Sequence, residues 1–330
     1  MEKKQLPVLT FEPYLKSVIW GGEKIASYKG IETDQTQIGE SWEISAVPGH
    51  ESVVAEGQFK GRNLAELLAE YGSDLVGKGA MERFGGVFPL LIKIIDAAGD
   101  LSVQVHPDDE LAKSRHNSLG KTEMWYIIDT DPGATINAGF SCEVTPDDYE
   151  RRVADNSLMD VIAHYESHPG DIFFLPAGRV HSIGAGNMLI EVQETSDVTY
   201  RIYDFGRRDA EGNLRQLHVA EAKDAIDYTV LPDYRTKAET IDGSTELLVK
   251  CSHFEVERCQ VDGRRRFDLS GLDSFVTVTA IEGDVTLTDA EGTVIELRRG
   301  NSALIPATAA WVEFSGKGTL VTASYGGVPA

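Results

Sequence analysis

The chain has little with which to staple itself, since its 330 residues hold three cysteines, Cys142, Cys251 and Cys259, and no C-x-x-C. A disulfide framework is therefore excluded; Cys251 with Cys259 is the one pairing worth naming, and the expected state is reduced thiols in the cytoplasm. Long apolar runs are missing too. Met1-Glu2-Lys3-Lys4-Gln5 is followed by Leu-Pro-Val-Leu-Thr-Phe-Glu, so neither a signal peptide nor a membrane partner is expected. Positive charge is scarce, with 31 Lys and Arg against 53 Asp and Glu and a net charge of −22. That balance speaks against nucleic acid, which needs clustered cations to replace counterions, but leaves a phosphorylated small molecule open where a few cations share one pocket. There is no G-x-x-x-x-G-K-[ST] loop, so a phosphate must meet scattered donors.

What is present is an ordinary globular composition, 42% hydrophobic and 25% charged, long enough for one elaborated or two separate cores. Strand-like runs dominate and predict a mainly β fold. The helices look peripheral: 63–72 with an Asn cap and terminal Gly, 145–154 with a Thr cap and Pro at the first helical position, 158–165, and 220–228. A possible repeat organises the rest. Gly170 to His181 reads GDIFFLPAGRVH and Gly300 to Trp311 reads GNSALIPATAAW, sharing the spaced Gly, Pro and Ala. Residues 275–287 predict a hairpin about Glu282-Gly283-Asp284, and 231–244 an exposed linker. The expectation is two barrels, 1–235 and 236–330, the second having Trp311 where the first has His181.

The chemistry concentrates in four candidate metal ligands. In Leu101-Ser102-Val103-Gln104-Val105-His106 the alternation puts Gln104 and His106 on one strand face. Glu123 opens a second strand, and a G-x5-P-x-G-x2-H turn, resembling the second metal motif of the cupin superfamily, delivers His181. Two imidazoles, a carboxylate and an amide oxygen suit a borderline divalent ion such as zinc with room left for substrate. Lys121 lies two before Glu123 and shares its face, close enough for a metal to draw its pKa toward that of a general base, or for it to bind an oxyanion. His116, His164, His168 and His218 lack partners at ligand spacing and read as surface or capping residues; Arg264-Arg265-Arg266 reads as a solvated turn.

Trp20-Gly21-Gly22, Gly39-Glu40-Ser41-Trp42-Glu43-Ile44-Ser45, Phe88-Pro89-Leu90-Leu91-Ile92-Lys93, the segment 101–109, Lys121-Thr122-Glu123-Met124-Trp125-Tyr126, Pro176 to His181, 195–201 and Cys251-Ser252-His253-Phe254 together span most of the chain. In these pieces the chain resembles type I phosphomannose isomerases of the compact bacterial kind. The resemblance implies a cupin-type jelly-roll fold and a zinc-dependent interconversion of mannose 6-phosphate and fructose 6-phosphate through a cis-enediol. It carries over Gln104, His106, Glu123 and His181 as ligands of one zinc ion per chain, and Lys121 and Arg201 as active-site residues. The chain is too short for the full helical insertion of the larger members, which bears on how the substrate is enclosed.

Arg201 can steady negative charge without losing its proton, and Asp197 is a candidate for ring opening or for orienting that arginine. For the sugar phosphate, Ser41 and Lys93 are candidate contacts and Trp20 a candidate wall. Two rivals stay open: another metal-dependent cupin enzyme, such as an iron oxygenase, and a non-catalytic sugar-phosphate sensor. A monomer or weak homo-oligomer is expected.

Overall fold

The computed structural model of the protein describes residues 5–208 and 212–325. Among them three antiparallel sheets form the framework. A seven-stranded sheet contains Tyr14–Gly22, Ile38–Ile44, Leu90–Ala97, Glu123–Thr130, Ile172–Leu175 and Asn187–Glu194, with Arg235–Thr236 at its edge. A five-stranded sheet of Val103–Val105, Thr135–Phe140, Ile162–Glu166, His181–Ile183 and Tyr200–Tyr203 faces it. The apolar layer between them includes Trp20, Ile95, Trp125, Ile136 and Phe173. The third, nine-stranded sheet wraps a separate core that includes Val261, Val278, Leu287 and Phe314.

The expected repeat is visible as structure. Ile172–Leu175 and Ser302–Ile305 are strands followed by the same turn, in which Arg179 N donates to Pro176 O and Ala309 N to Pro306 O, each at 3.0 Å. Gly170 and Gly300 enter the two copies at φ 95° and 82°, in the region that favours glycine. Trp311 stands where His181 stands and takes the Arg266 guanidinium on its ring at 3.8 Å. The two halves share one apolar core, in which Phe88 and Phe275 meet at 4.6 Å between ring centroids.

Local capping explains the helices that form where expected. Leu64–Tyr71 and Pro146–Ala154 begin in full capping boxes, Asn63 with Glu66 and Thr145 with Asp148, each cap worth about 1 kcal/mol. The helix expected over 158–165 is a single 3-10 turn, Leu158–Val161, followed by strand Ile162–Glu166. Pairing with Thr135–Phe140 satisfies that edge and overrides the helical spacing. Val219–Ala225 stops short because Asp227 N donates to Gly178 O at 2.8 Å and draws the chain off the helix axis.

Other expectations need correction. Residues 276–289 are one continuous strand with a bulge between Ala280 and Glu282, not a hairpin. Gly283 is there because a Cβ would come within 2.2 Å of Lys317 O. Arg264, Arg265 and Arg266 lie within strand Glu255–Asp268, not in a turn, and Arg265 pairs with Asp242 at 2.7 Å. In the expected linker, Tyr234 is buried and donates its hydroxyl to Phe140 O at 3.1 Å. All three cysteines are free.

Glu257 is buried in the second barrel, and burial, helped by Glu255 and opposed by Arg265 and Lys250, pushes its carboxyl up to about 7. An acid with a raised folded pKa binds its proton more tightly when folded, so stability falls as pH rises from its unfolded value of about 4.3 toward 7. Glu257→Gln should therefore leave thermal stability unchanged at pH 4.5 and raise it by roughly 1–2 kcal/mol at pH 8. Equal melting shifts at both pH values would remove the carboxyl as the cause.

Candidate metal centre and active site

The site forms where the two N-terminal sheets meet at one end. The five-stranded sheet supplies Gln104 and His181, which sit directly opposite each other in the ladder, and His106 just beyond the same strand. The seven-stranded sheet supplies Glu123, opposite Leu175 on one side and Gln193 on the other. The turn 176–180 carries the chain from one sheet to the other. Gly178 makes that crossing possible: at φ 89° it donates its N–H to His106 O at 2.9 Å, and a Cβ would lie 2.9 Å from Ala225 O.

Both imidazoles are buried and oriented by backbone carbonyls, Nδ1 of His106 on Val198 O at 2.9 Å and Nδ1 of His181 on Arg179 O at 2.8 Å. That leaves each Nε2 with its lone pair toward Glu123, at 3.5 Å and 3.2 Å from its carboxylate oxygens. The ligand atoms of the three residues lie within 4.8 Å of one another. The Gln104 side-chain amide reaches to 3.3 Å of His181 Nε2, and rotation of the amide brings its oxygen to the same point.

The electrostatics fit a cation. Glu123 has no solvent exposure and neither of its oxygens has a hydrogen-bond partner among the described residues. Burial works to neutralise it, but Lys121 Nζ at 2.9 Å, then His181 and His106, hold its carboxyl well below the usual range. Burial and then Lys121 press His106 well below its ordinary value, so the ring stays neutral. A buried orphan carboxylate beside two neutral imidazoles whose distal nitrogens are already used is the donor set a borderline divalent ion takes.

An open cavity of about 380 Å³ runs outward from this centre. Lys16, Lys93, Lys121, Arg201 and Arg215 line it against the acids Glu40, Glu191 and Asp197, a local positive excess in a strongly acidic chain. Trp20 lies on its wall with its ring in the inter-sheet core. Lys93 donates to Glu191 Oε2 at 2.8 Å and Gln193 Oε1 at 2.7 Å. Burial opposes its charge, yet Glu191 and Glu40 outweigh burial and raise its pKa. Arg201 Nη1 donates to Gln216 O at 3.0 Å, while its Nε is buried without a partner. Burial, then Arg215, lowers the Arg201 pKa.

The structure does not bring every expected residue to this cavity. Ser41 is turned away: alternation along Ile38–Ile44 sends Glu40 and Trp42 to the cavity, while Ser41 donates to Glu43 Oε1 at 2.6 Å on the opposite face, where Lys29 also pairs. Asp197 lines the cavity but forms no ion pair with Arg201 among the described residues. His218 stands at the N-cap position of Val219–Ala225, as a capping residue would, and its Nδ1 accepts from Arg201 N at 3.2 Å. Lys16 and Arg215 also line the cavity; Lys16 is legible from its alternation with Val18 and Trp20 along one strand, whereas Arg215 arrives from a distant loop without a motif.

Comparison with known proteins fits this geometry. The family description "Phosphomannose isomerase type I, catalytic domain" matches residues 8–130, and "Mannose-6-phosphate isomerase, cupin domain" matches 244–325. The mannose-6-phosphate isomerase ManA of Bacillus subtilis (strain 168) is 36% identical over 301 residues, covering 90% of this chain and 92% of that protein. The chain belongs to the type I phosphomannose isomerase family. A mannose-6-phosphate isomerase of Streptococcus mutans is 34% identical over 93% of this chain and 95% of its own length. The crystal structure of the mannose 6-phosphate isomerase from Bacillus subtilis matches with a TM-score of 0.85 at 31% identity, covering 96% of this chain and 99% of that one. As in that family, the protein is an enzyme with a cupin fold, and its His/Glu/His group is the candidate metal site.

His106→Ala, Glu123→Ala and His181→Ala should each weaken affinity for a divalent ion by at least about 100-fold. Competition with a chromogenic chelator measures this, and wild-type affinity retained in all three would remove the metal from this position.

Proposed function

We propose that the protein is a zinc-dependent aldose–ketose isomerase that interconverts mannose 6-phosphate and fructose 6-phosphate through a cis-enediol. The observation that carries this reading is the orphaned Glu123 carboxylate between His106 and His181, at the inner end of a cavity rich in positive charge. Relatives named as mannose-6-phosphate isomerases over more than nine-tenths of the chain support mannose 6-phosphate as the substrate, and fructose 6-phosphate is the ketose that an aldose–ketose isomerisation makes from it.

Gln104, His106, Glu123 and His181 would hold the ion, one per chain. When bound, zinc supplies Lewis acidity toward the sugar's carbonyl and hydroxyl oxygens and needs no redox change. The reaction moves a proton between C2 and C1 while negative charge shifts between O1 and O2. Arg201 serves that charge: it stays protonated near neutrality, and its free Nε–H faces no competing acceptor. Lys121, with Nζ 3.2 Å from His106 Nε2, is placed to hold or pass a proton at the reacting carbons. Asp197 stands on the exposed wall, and we assign it to ring opening of the incoming sugar because it makes no ion pair with Arg201 among the described residues.

The sugar phosphate is drawn by the positive excess, with Lys93 the buried cation and Trp20 the wall; Ser41, turned to the opposite face, has no part in binding. Residues 1–235, apart from the strands Leu9–Glu12 and Val53–Val54 that join the nine-stranded sheet, form the catalytic unit, and 236–330 a cupin unit without metal. The protein works as a monomer or weak homo-oligomer in the cytoplasm. Among the described residues no helix is long and apolar enough to cross a membrane.

Turnover of mannose 6-phosphate by purified protein should be lost on chelation and restored by zinc. Lys121→Ala and Arg201→Ala should each lower kcat by about 10²–10³-fold in zinc-loaded protein. No turnover in folded, zinc-loaded wild type would overturn the isomerase reading and favour another cupin reaction or a sugar-phosphate sensor.

A further inference from the structure

Beside the segment that carries Lys121 and leads into the strand opening at Glu123 lies a second convergence of ionisable groups that the reaction does not use. Ligand-type atoms of Asp109, Glu194 and His253 lie within 4.8 Å of one another. Two of these residues grip the backbone of the catalytic segment: Asp109 Oδ1 accepts from Gly120 N at 2.9 Å, and Glu194 Oε2 accepts from Thr122 N at 2.8 Å. They do so from behind. Glu123 and Gln193 face each other across the ladder, and Gln193 shares its face with Lys93, so alternation sends Glu194 to the far side of the sheet.

Glu194 is only 1% exposed, and its Oε1 is left without a hydrogen-bond partner of good geometry. The group aimed at it is His253 Nδ1, 2.8 Å away, which comes from the Cys251-Ser252-His253-Phe254 turn of the second, metal-free half. That turn is fixed by Cys251 N donating to Phe254 O at 2.9 Å. Arg83 Nη1 donates to Ser252 O, and its Nη2 lies 3.3 Å from the same His253 Nδ1. One ring nitrogen thus faces an acceptor and a donor. The proton belongs toward Glu194, because an orphaned buried carboxylate oxygen costs more than one unused donor on a guanidinium that is bonded elsewhere. A divalent ion does not suit the spot, since Arg83 already places its charge there, also 3.9 Å from Asp109.

We propose that His253 is a positioning residue for the isomerase site: by bonding Glu194 it fixes the carboxylate that holds Thr122, and with it the backbone from which Lys121 and Glu123 project. The inference rests on the isomerase reading for its catalytic consequence, though not for its effect on metal binding. The second barrel thereby completes the site of the first.

The test compares His253→Ala with His253→Asn, whose side-chain Nδ2–H stands where the histidine Nδ1–H stands. His253→Ala should lower kcat and zinc affinity by about 10–100-fold with KM for mannose 6-phosphate within about twofold, and His253→Asn should restore most of both. Equal losses in the two variants, or none in His253→Ala, would overturn the proposal. So would a second equivalent of zinc in wild type that His253→Ala removes, which would make the cluster a cation site. If His253→Ala does not fold, His253→Gln takes its place, since its longer amide misplaces the donor. Should wild type not turn over mannose 6-phosphate, the isomerase reading falls while the zinc-affinity comparison still decides the role of His253.

Discussion

A carboxylate with no contact with water has to be answered by something, and in this protein Glu123 is answered only by Lys121 and two imidazoles drawn from another sheet. Much of the surrounding architecture serves that encounter. The inter-sheet core around Trp125 and Phe173 fixes the separation of the two layers, and the crossing at Gly178 returns the chain at the register that sets His181 opposite Gln104. Trp125 contributes twice, packing edge-on against His181 at 5.3 Å and donating its indole N–H to Glu191. Rigid strands, not loops, hold three of the four candidate ligands, which suits a site where small displacements alter the field a substrate meets.

The parts legible in the sequence were those governed by local rules. Period-two alternation located Gln104 and His106, capping chemistry located two helices, and a spaced Gly, Pro and Ala pattern exposed the duplicated turn. Helix Asp109–His116, outside the expected set, obeys the same rules, with Asp108 capping Leu111 N, acids in its first turn and Asn117 closing it at φ 50°. Elsewhere the sequence pattern was overruled by partners far away in the chain. The strand 162–166 follows from its neighbour in the sheet, and the continuous strand 276–289 from its long pairing with Trp311–Ser324. Ser41 shows the same limit at the site: alternation says that Ser41 and Trp42 face opposite ways, but which of them faces the cavity is decided by the sheet opposite.

The duplicated turn also shows how one backbone serves two chemistries. Both copies preserve a left-handed glycine, a strand and a proline turn, so geometry alone does not make a metal site. In the second barrel the equivalent of His181 is an indole under an arginine, and the interior is closed by Val278, Leu287 and Phe314. The exception is the strand face carrying Glu255 and Glu257, where Thr322 and Ser324 stand directly opposite with unpartnered hydroxyls. This polar stripe within an otherwise apolar barrel makes its packing sensitive to proton uptake while the first barrel is organised around a candidate cation site.

The N-terminal strand Leu9–Glu12 belongs to the C-terminal sheet, where Leu9 pairs with Leu304 and Phe11 with Val54. One side of that strand pairs with the nearby Val53–Val54, but the other waits for Ser302–Ile305 to be made before its ladder can form. The closing contact has very high sequence separation, so assembly of the two barrels is a late and slow event. Until then an apolar strand edge is open to pairing with other chains, and it is a strand of the second barrel that closes it.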